Sequence, residues 1–222
     1  MRPAYTAVRR RLLAAIESRG VSDRAVLRAI ERVPREHFVP EHLRSQAYAN
    51  VALPIAEGQT ISQPEVVALM AQAASLRPTD HVLEVGCGSG YGAAVLAEIA
   101  GDVVTIEIRP RLAIDAQRRL ADIGCTNVRV VVGDGSLGWP DLAPYDAIIV
   151  TAATPQLLPS LVEQLSDAGG RLVAPVGTID RQVLQRAVRE GTSVRVDILG
   201  EVRFVPLVGA AGFAGRDPLR RN

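Results

Sequence analysis

From Val82 to Ala94 the chain reads VLEVGCGSGYGAA. The run HVLEV, starting at His81, is short, largely apolar and of strand composition. Glycine then recurs at every second position, Gly86, Gly88, Gly90 and Gly92, and YGAAVLAEIA takes up a helical pattern. A strand that passes through a glycine turn into a helix opens a βαβ unit. At such a turn the backbone comes close to whatever binds there.

Downstream the alternation continues. DVVTIEI is a strand, and PRLAIDAQRRLADIG is a helix ended by Gly124. NVRVVVG and YDAIIVTAA are strands, PQLLPSLVEQL is a helix, and GGRLVAPVG is a strand again. Strands that are apolar on both faces and alternate with helices predict an α/β fold. Its sheet is doubly wound, mostly parallel and seven-stranded, of Rossmann-like type. The pattern then changes to RQVLQRAVREG and VRVDILGEVRFVPLVG, two alternating strands joined by a turn, which predict a hairpin at one sheet edge.

Upstream, AVRRRLLAAIE and SDRAVLRAIERV are amphipathic helices, with Ser22 placed to cap the second and Pro34 and Pro40 breaking the pattern. Residues 51–63 form a loop. Ser62 with Glu65 three residues on, and Pro64 in the first turn, has the form of a capping box for the helix SQPEVVALMAQAASL. One domain over residues 1–209 is expected. It comprises an N-terminal helical layer (1–50), a cofactor-binding core (80–176) and the edge hairpin (181–208), with 210–222 a loose tail.

With 222 residues, 48% hydrophobic and 22% charged, the chain can bury an ordinary core. A net charge of +1 gives no electrostatic argument for nucleic acid or a membrane surface as partner. The basic groups Arg9, Arg10, Arg11 and Arg220, Arg221 read as solvated faces near the chain ends. Two cysteines, Cys87 and Cys125, make no disulfide framework and suit a reducing, cytoplasmic setting. No signal-peptide pattern and no apolar run of about 18 residues is present. His37, His42 and His81 lie apart from any cysteine pair, so no metal site is expected.

Ligands of such sheets bind beyond the carboxyl ends of the strands. There the first strand carries Glu84 and the glycine turn, the second ends at Glu107, and the third runs into Gly133-Asp134-Gly135. Gly88–Ala93 also fits a dinucleotide fingerprint. However, Glu84, two residues before the first glycine, would repel a pyrophosphate and suits a cation. Glu107 is placed to take both ribose hydroxyls, and Asp134 to accept from an adenine amino group; a surface glutamate and a turn former are the plainer readings of these two. Three acids on one rim, with no Lys or Arg in the glycine loop, point to a nucleoside without phosphate, such as S-adenosylmethionine, which carries a sulfonium cation.

Segments through most of the chain resemble the protein-L-isoaspartate O-methyltransferase family of class I methyltransferases. They are VPREHFVPEHLRSQAY, LPIAEGQTISQP, VLEVGCGSGYGAAVLAEIAGDVVTIE, GDGSLGWP, APYDAIIVTAA, GGRLVAPVG and RFVPLVG, in that order. The resemblance implies transfer of a methyl group from S-adenosylmethionine to the free α-carboxylate of isoaspartyl residues in damaged proteins. The ester then closes to a succinimide that opens to aspartate. The resemblance assigns the active-site serine to Ser62, and the cofactor to Glu84, Gly86, Gly88, Ser89, Gly90, Glu107, Asp134 and Gly135, with Ile108 packing on the adenine or simply on the core. Gln59, Thr60 and Ile61 would line the substrate side, and Val202–Leu207 is either a substrate-side strand or core. It further implies a monomer, as family members often are. Family members often read GTGSGYQ where this chain has GCGSGYG, IGYGQT where it has IAEGQT, and an aromatic at the place of Ser136. The changes at Ala56, Glu57, Gly92 and Ser136 bear on substrate preference. A relative acting on another carboxylate, a binding module without turnover, and an NAD-dependent oxidoreductase are the competing readings.

Overall fold

The computed structural model describes residues 5–213. The chain begins with two helices, α1 (Thr6–Ser18) and α2 (Arg24–Arg32), followed by a two-stranded hairpin of β1 (Leu53–Pro54) and β2 (Thr60–Ile61) and by α3 (Pro64–Ala74). The alternating core comprises β3 (His81–Val85), α4 (Tyr91–Ala97), β4 (Asp102–Glu107), α5 (Pro110–Asp122), β5 (Val128–Val132), β6 (Ala147–Val150), α6 (Pro159–Val162) and β7 (Ala168–Gly177). The hairpin β8 (Gln182–Glu190) and β9 (Ser193–Val202) completes it.

Strand order in the large sheet is β5-β4-β3-β6-β7-β8-β9. The first five strands are parallel, and the hairpin pairs antiparallel at the β7 edge. The order reverses between β3 and β6, which opens a crevice at their carboxyl ends. Alternation along β3 feeds two cores. Val82 packs into the cluster built with α1–α4, whereas Leu83 and Val85 pack into the cluster that includes Leu158, Leu161 and Leu165 around α6. Among the described residues no helix is long and apolar enough to cross a membrane.

Four local expectations are corrected. Asp23, not Ser22, caps α2: its carboxylate accepts from the N–H groups of Ala25 and Val26, while the N–H groups of Ser22 and Asp23 donate to Gln72 Oε1. Arg9 is buried rather than solvated, and its guanidinium donates to the Tyr48 hydroxyl, the Glu31 carbonyl and Glu36. Arg10 and Arg11 are exposed, and Arg220 and Arg221 lie outside the described residues. The helix expected over PQLLPSLVEQL shortens to the four residues of α6, because Pro159 sets its start and the Gln164 carbonyl is taken by the Tyr145 N–H. The loose tail expected over 210–222 is hydrogen-bonded where described: Ala210 N–H donates to Asp134, Ala211 N–H to Ser136 Oγ and Phe213 N–H to the Leu207 carbonyl. Its remainder lies outside the described residues.

Candidate active site

The glycine turn folds over the end of the neighbouring strand. Gly86 and Cys87 N–H both donate to the Ile106 carbonyl, and the Thr151 hydroxyl donates to the Gly86 carbonyl at 2.6 Å. Gly86 takes φ +98°, and a Cβ there would drive into Thr151 Oγ1, so the position requires glycine twice over. Gly90, at φ +90°, starts α4, and Ser89 Oγ accepts from Tyr91 N–H within that first turn.

Two acids stand behind the turn. Glu107, at the end of β4, accepts from Gly88 N–H at 2.9 Å and from Arg109 N–H at 3.1 Å, which fixes its carboxylate against the loop. Glu84 is 1% exposed and faces the α3–α4 side of the sheet. Burial, together with the nearby Glu107 charge, pushes its carboxyl up to about 8 against the pull of the Thr105 hydroxyl, which donates to it at 2.6 Å. It is therefore largely protonated at neutral pH. A Cβ at Gly92 would occupy the place of Glu84 Oε1, which accounts for glycine at that position. Burial also holds the Cys87 thiol well above its ordinary value, so it is an inert wall residue.

These elements enclose a cavity with about 1130 Å³ of free volume, its open mouth included. Of the site residues expected from sequence, all but Gly90 and Asp134 line it. Its other walls include Met70, Leu96, Ile106 and Ile149, and Arg109 reaches its mouth. A mostly apolar cavity lined by two acids, Glu84 and Glu107, and by the glycine turn fits a nucleoside that carries a cation. Among the described residues no group of three His, Cys, Asp or Glu side chains could hold a metal.

Asp134 does not line the cavity. Its Oδ1 accepts from Ser136 N–H and from the Ser136 hydroxyl, and its Oδ2 accepts from Ala210 N–H, which leaves Oδ2 one further acceptor position. Only its neighbour Gly135, packed on Val85, reaches the wall.

The Ser62 segment is built as a small hairpin: Leu53 pairs with Ile61 and Pro54 with Thr60, closed by Ile55 N–H to the Gln59 carbonyl. Glu57, at φ +56°, pairs across to Arg111 of α5 at 3.7 Å. The capping box does not form. The α3 cap position is Gln63, without a side-chain cap; instead Asn50 Oδ1 accepts from Glu65 N–H, and its Nδ2 donates to the Glu65 carboxylate at 2.6 Å. The Ser62 hydroxyl has no hydrogen-bond partner among the described residues and lines the cavity.

A second, open groove with about 1620 Å³ of free volume, adjoining solvent included, lies beside the first and runs between this hairpin and the segment 201–205, with Asp180 and Arg181 among its lining residues. Thr60, Ser62, Thr151 and Val205 line both. Two compartments thus meet at a seam of two threonines, one unpartnered serine and one valine. Sequence reasoning missed Thr151, Thr105 and Asn50, since a threonine in or after a strand and a lone asparagine carry no pattern of their own, whereas Val205 lies in the segment Val202–Leu207 already read as substrate-side or core.

The family model described as protein-L-isoaspartate(D-aspartate) O-methyltransferase matches residues 7–212. The chain belongs to this family. A protein-L-isoaspartate O-methyltransferase of Roseiflexus sp. (strain RS-1) is 53% identical over 96% of this chain and 97% of that one. One of Herpetosiphon aurantiacus is 52% identical over 89% and 88%. A solved protein-L-isoaspartate O-methyltransferase superposes with a TM-score of 0.82 at 30% identity, covering 92% of this chain and 67% of that one. A Plasmodium falciparum structure described as a putative family member in complex with S-adenosyl-L-homocysteine gives 0.77 at 24% identity, over 89% and 96%, and shows the shared fold. In this methyltransferase family member, the departures at Glu57, Gly92 and Ser136 each have a local partner: Arg111, Glu84 and Asp134.

Proposed function

We propose that the protein transfers the methyl group of S-adenosylmethionine to the α-carboxylate of isoaspartyl residues, the first step in returning a damaged chain to aspartate through a succinimide. The seam between the two compartments carries this reading, because a methyl donor in the cavity and a carboxylate in the groove meet only there. S-adenosylmethionine, when bound, supplies an electrophilic methyl on a sulfonium. Glu107 takes the ribose hydroxyls, Glu84 faces the cationic end, and Ile108, half-exposed on the wall, packs on the adenine.

A carboxylate is already ionised at neutral pH, so no general base is required. What the chain contributes is alignment and exclusion of water. The Ser62 hydroxyl, free of any internal acceptor, donates to the substrate carboxylate, and Thr60 and Gln59 hold the hairpin that aims it. Charge is neutralised as the methyl moves, and the apolar walls favour that neutralisation. The protein acts as a monomer in the cytoplasm on isoaspartyl proteins and peptides, without nucleic acid; its two free thiols suit that compartment.

The test is methyl transfer from labelled S-adenosylmethionine to paired peptides carrying isoaspartate or aspartate at one position. Base-labile label on the isoaspartyl peptide alone is expected. Equal labelling of both, or none with the cofactor still bound, overturns the substrate assignment.

A further inference from the structure

We propose that Asp134 and Ser136 form a latch that positions the strap Val205–Val208 across the active site; the inference rests on the methyltransferase reading only for its kinetic consequence. The strap lines the cofactor cavity along its length, and Val205 also lines the substrate groove. It is fastened in three places. Phe204 N–H donates to Gln182 Oε1 at 2.8 Å, next to the edge hairpin. In the middle Ala153 N–H donates to the Val205 carbonyl and Leu207 N–H to the Ala153 carbonyl, both at 2.8 Å, beyond the end of β6. At the far end its continuation reaches Asp134 and Ser136 beyond the end of β5: Ala210 N–H donates to Asp134 Oδ2 at 2.7 Å and Ala211 N–H to Ser136 Oγ at 3.0 Å.

Since β3 and β4 lie between β6 and β5, the strap crosses the carboxyl ends of the strands that bear Glu84 and Glu107. The latch is built for this. Ser136 is fully buried, its hydroxyl donates to Asp134 Oδ1 at 2.7 Å, and its carbonyl accepts from the Ser160 hydroxyl at 2.7 Å. The strap side is fitted as well. Gly209 takes φ +155°, and a Cβ there would run into Asp134 Oδ1 and Ser136 Oγ. Three residues from two distant segments thus agree on one contact, and neither Asp134, Ser136 nor Gly209 lines the cavity. Charge-assisted bonds from backbone N–H to a carboxylate are among the stronger protein hydrogen bonds. Releasing them leaves the strap held on one side only.

The experiment compares Asp134→Asn, Ser136→Ala and Gly209→Ala with the wild type in the full-length protein. Hydrogen exchange of the Leu207, Ala210 and Ala211 amides is followed alongside steady-state kinetics and calorimetric binding of S-adenosylhomocysteine. Far-UV dichroism and the melting temperature check that each variant folds. All three variants are expected to speed exchange in the strap about tenfold or more. They should also weaken S-adenosylhomocysteine and raise KM for the isoaspartyl peptide by a larger factor than kcat falls. A loss confined to Asp134→Asn, with strap exchange and the other two variants as wild type, would make Asp134 a direct cofactor ligand and overturn the latch. Unchanged exchange in all three would overturn it too. The exchange readout needs no substrate, so it stands whether or not isoaspartyl methylation is the activity.

Discussion

Glu84 makes cofactor binding depend on pH, and the sign can be worked out. Its carboxyl is raised from an ordinary 4.5 to about 8, first by burial and then by Glu107, with the Thr105 hydroxyl pulling the other way. An acid raised on folding stays protonated in the native state while the unfolded chain ionises. Stability therefore falls as pH rises from about 4.5 and levels off above about 8. At about 1.4 kcal/mol per pH unit, the total loss is on the order of 3–6 kcal/mol. A ligand that places a cation beside Glu84 binds its ionised form. Below pH 8 that form must be generated by releasing a proton, so affinity should drop about tenfold per unit of pH. The cofactor's own α-amino group loses its proton near pH 8, which bends the profile down on the alkaline side and leaves the acid limb to Glu84. The assay is calorimetric titration of S-adenosylmethionine between pH 6 and 8.5, in buffers of different ionisation enthalpy, so that proton release is counted directly. Wild-type affinity at pH 7 should be about tenfold below its maximum, with close to one proton released per site. Glu84→Gln should flatten the acid limb and raise the melting temperature at pH 8.5 relative to wild type. Thr105→Val should move the limb to higher pH. A wild-type profile flat from pH 6 to 8, or an acid limb that survives in Glu84→Gln, would refute the reasoning.

Ser62→Ala should lower kcat/KM about 10- to 150-fold, the loss of one hydrogen bond to a carboxylate, and leave stability within about 0.5 kcal/mol because the hydroxyl has no internal partner; turnover and thermal melts check both. Asn50→Ala should instead destabilise by about 1 kcal/mol or more, since it removes the partner that caps Glu65 N–H and holds its carboxylate, and urea unfolding reads this. Asp80→Ala strands the buried Arg171 guanidinium, whose other bonds go to the Ala74 and Ser75 carbonyls, and should cost about 3–5 kcal/mol, seen as a fall in melting temperature of roughly 6–20 °C. Gly92→Ala should displace Glu84 and weaken S-adenosylmethionine in the same calorimetric assay, with the peptide KM changed less.

What was legible in the sequence was whatever carries a period or a fixed chain spacing. The strand–glycine–helix order from His81 to Ala97 and the alternating hairpin at 182–202 are written in local hydrophobic pattern, and the sheet follows them. Charge and hydrogen-bonding identity do not report which partner wins. Ser62 and Glu65 have capping-box spacing, yet Asn50, fifteen residues from Glu65, reaches the helix end first. Ser22 and Asp23 are both good caps, and the extended backbone at Asp23 decides between them. Arg9 sits in a basic run and is still drawn into the core by Tyr48 and Glu36. At Asp134 the motif gives a place on the cofactor rim, and the sequence carries no sign of the bond its carboxylate also accepts from a segment 76 residues away.

These failures share one physical cause, and it bears on how the site works. A polar group at the carboxyl end of a strand must be satisfied, and ligand and chain compete for it. Glu107 is settled by two amides of its own rim, which aims its carboxylate without consuming both oxygens' capacity. Asp134 is settled by the strap, and Glu84 by a single hydroxyl and a proton. Among the described residues the Ser62 hydroxyl and the neighbouring Thr60 hydroxyl are settled by no hydrogen bond, and of the two Thr60 is exposed. These unpartnered hydroxyls at the meeting point of two compartments are the groups the chain holds ready for an incoming acceptor, and Ser62 is the less exposed of them.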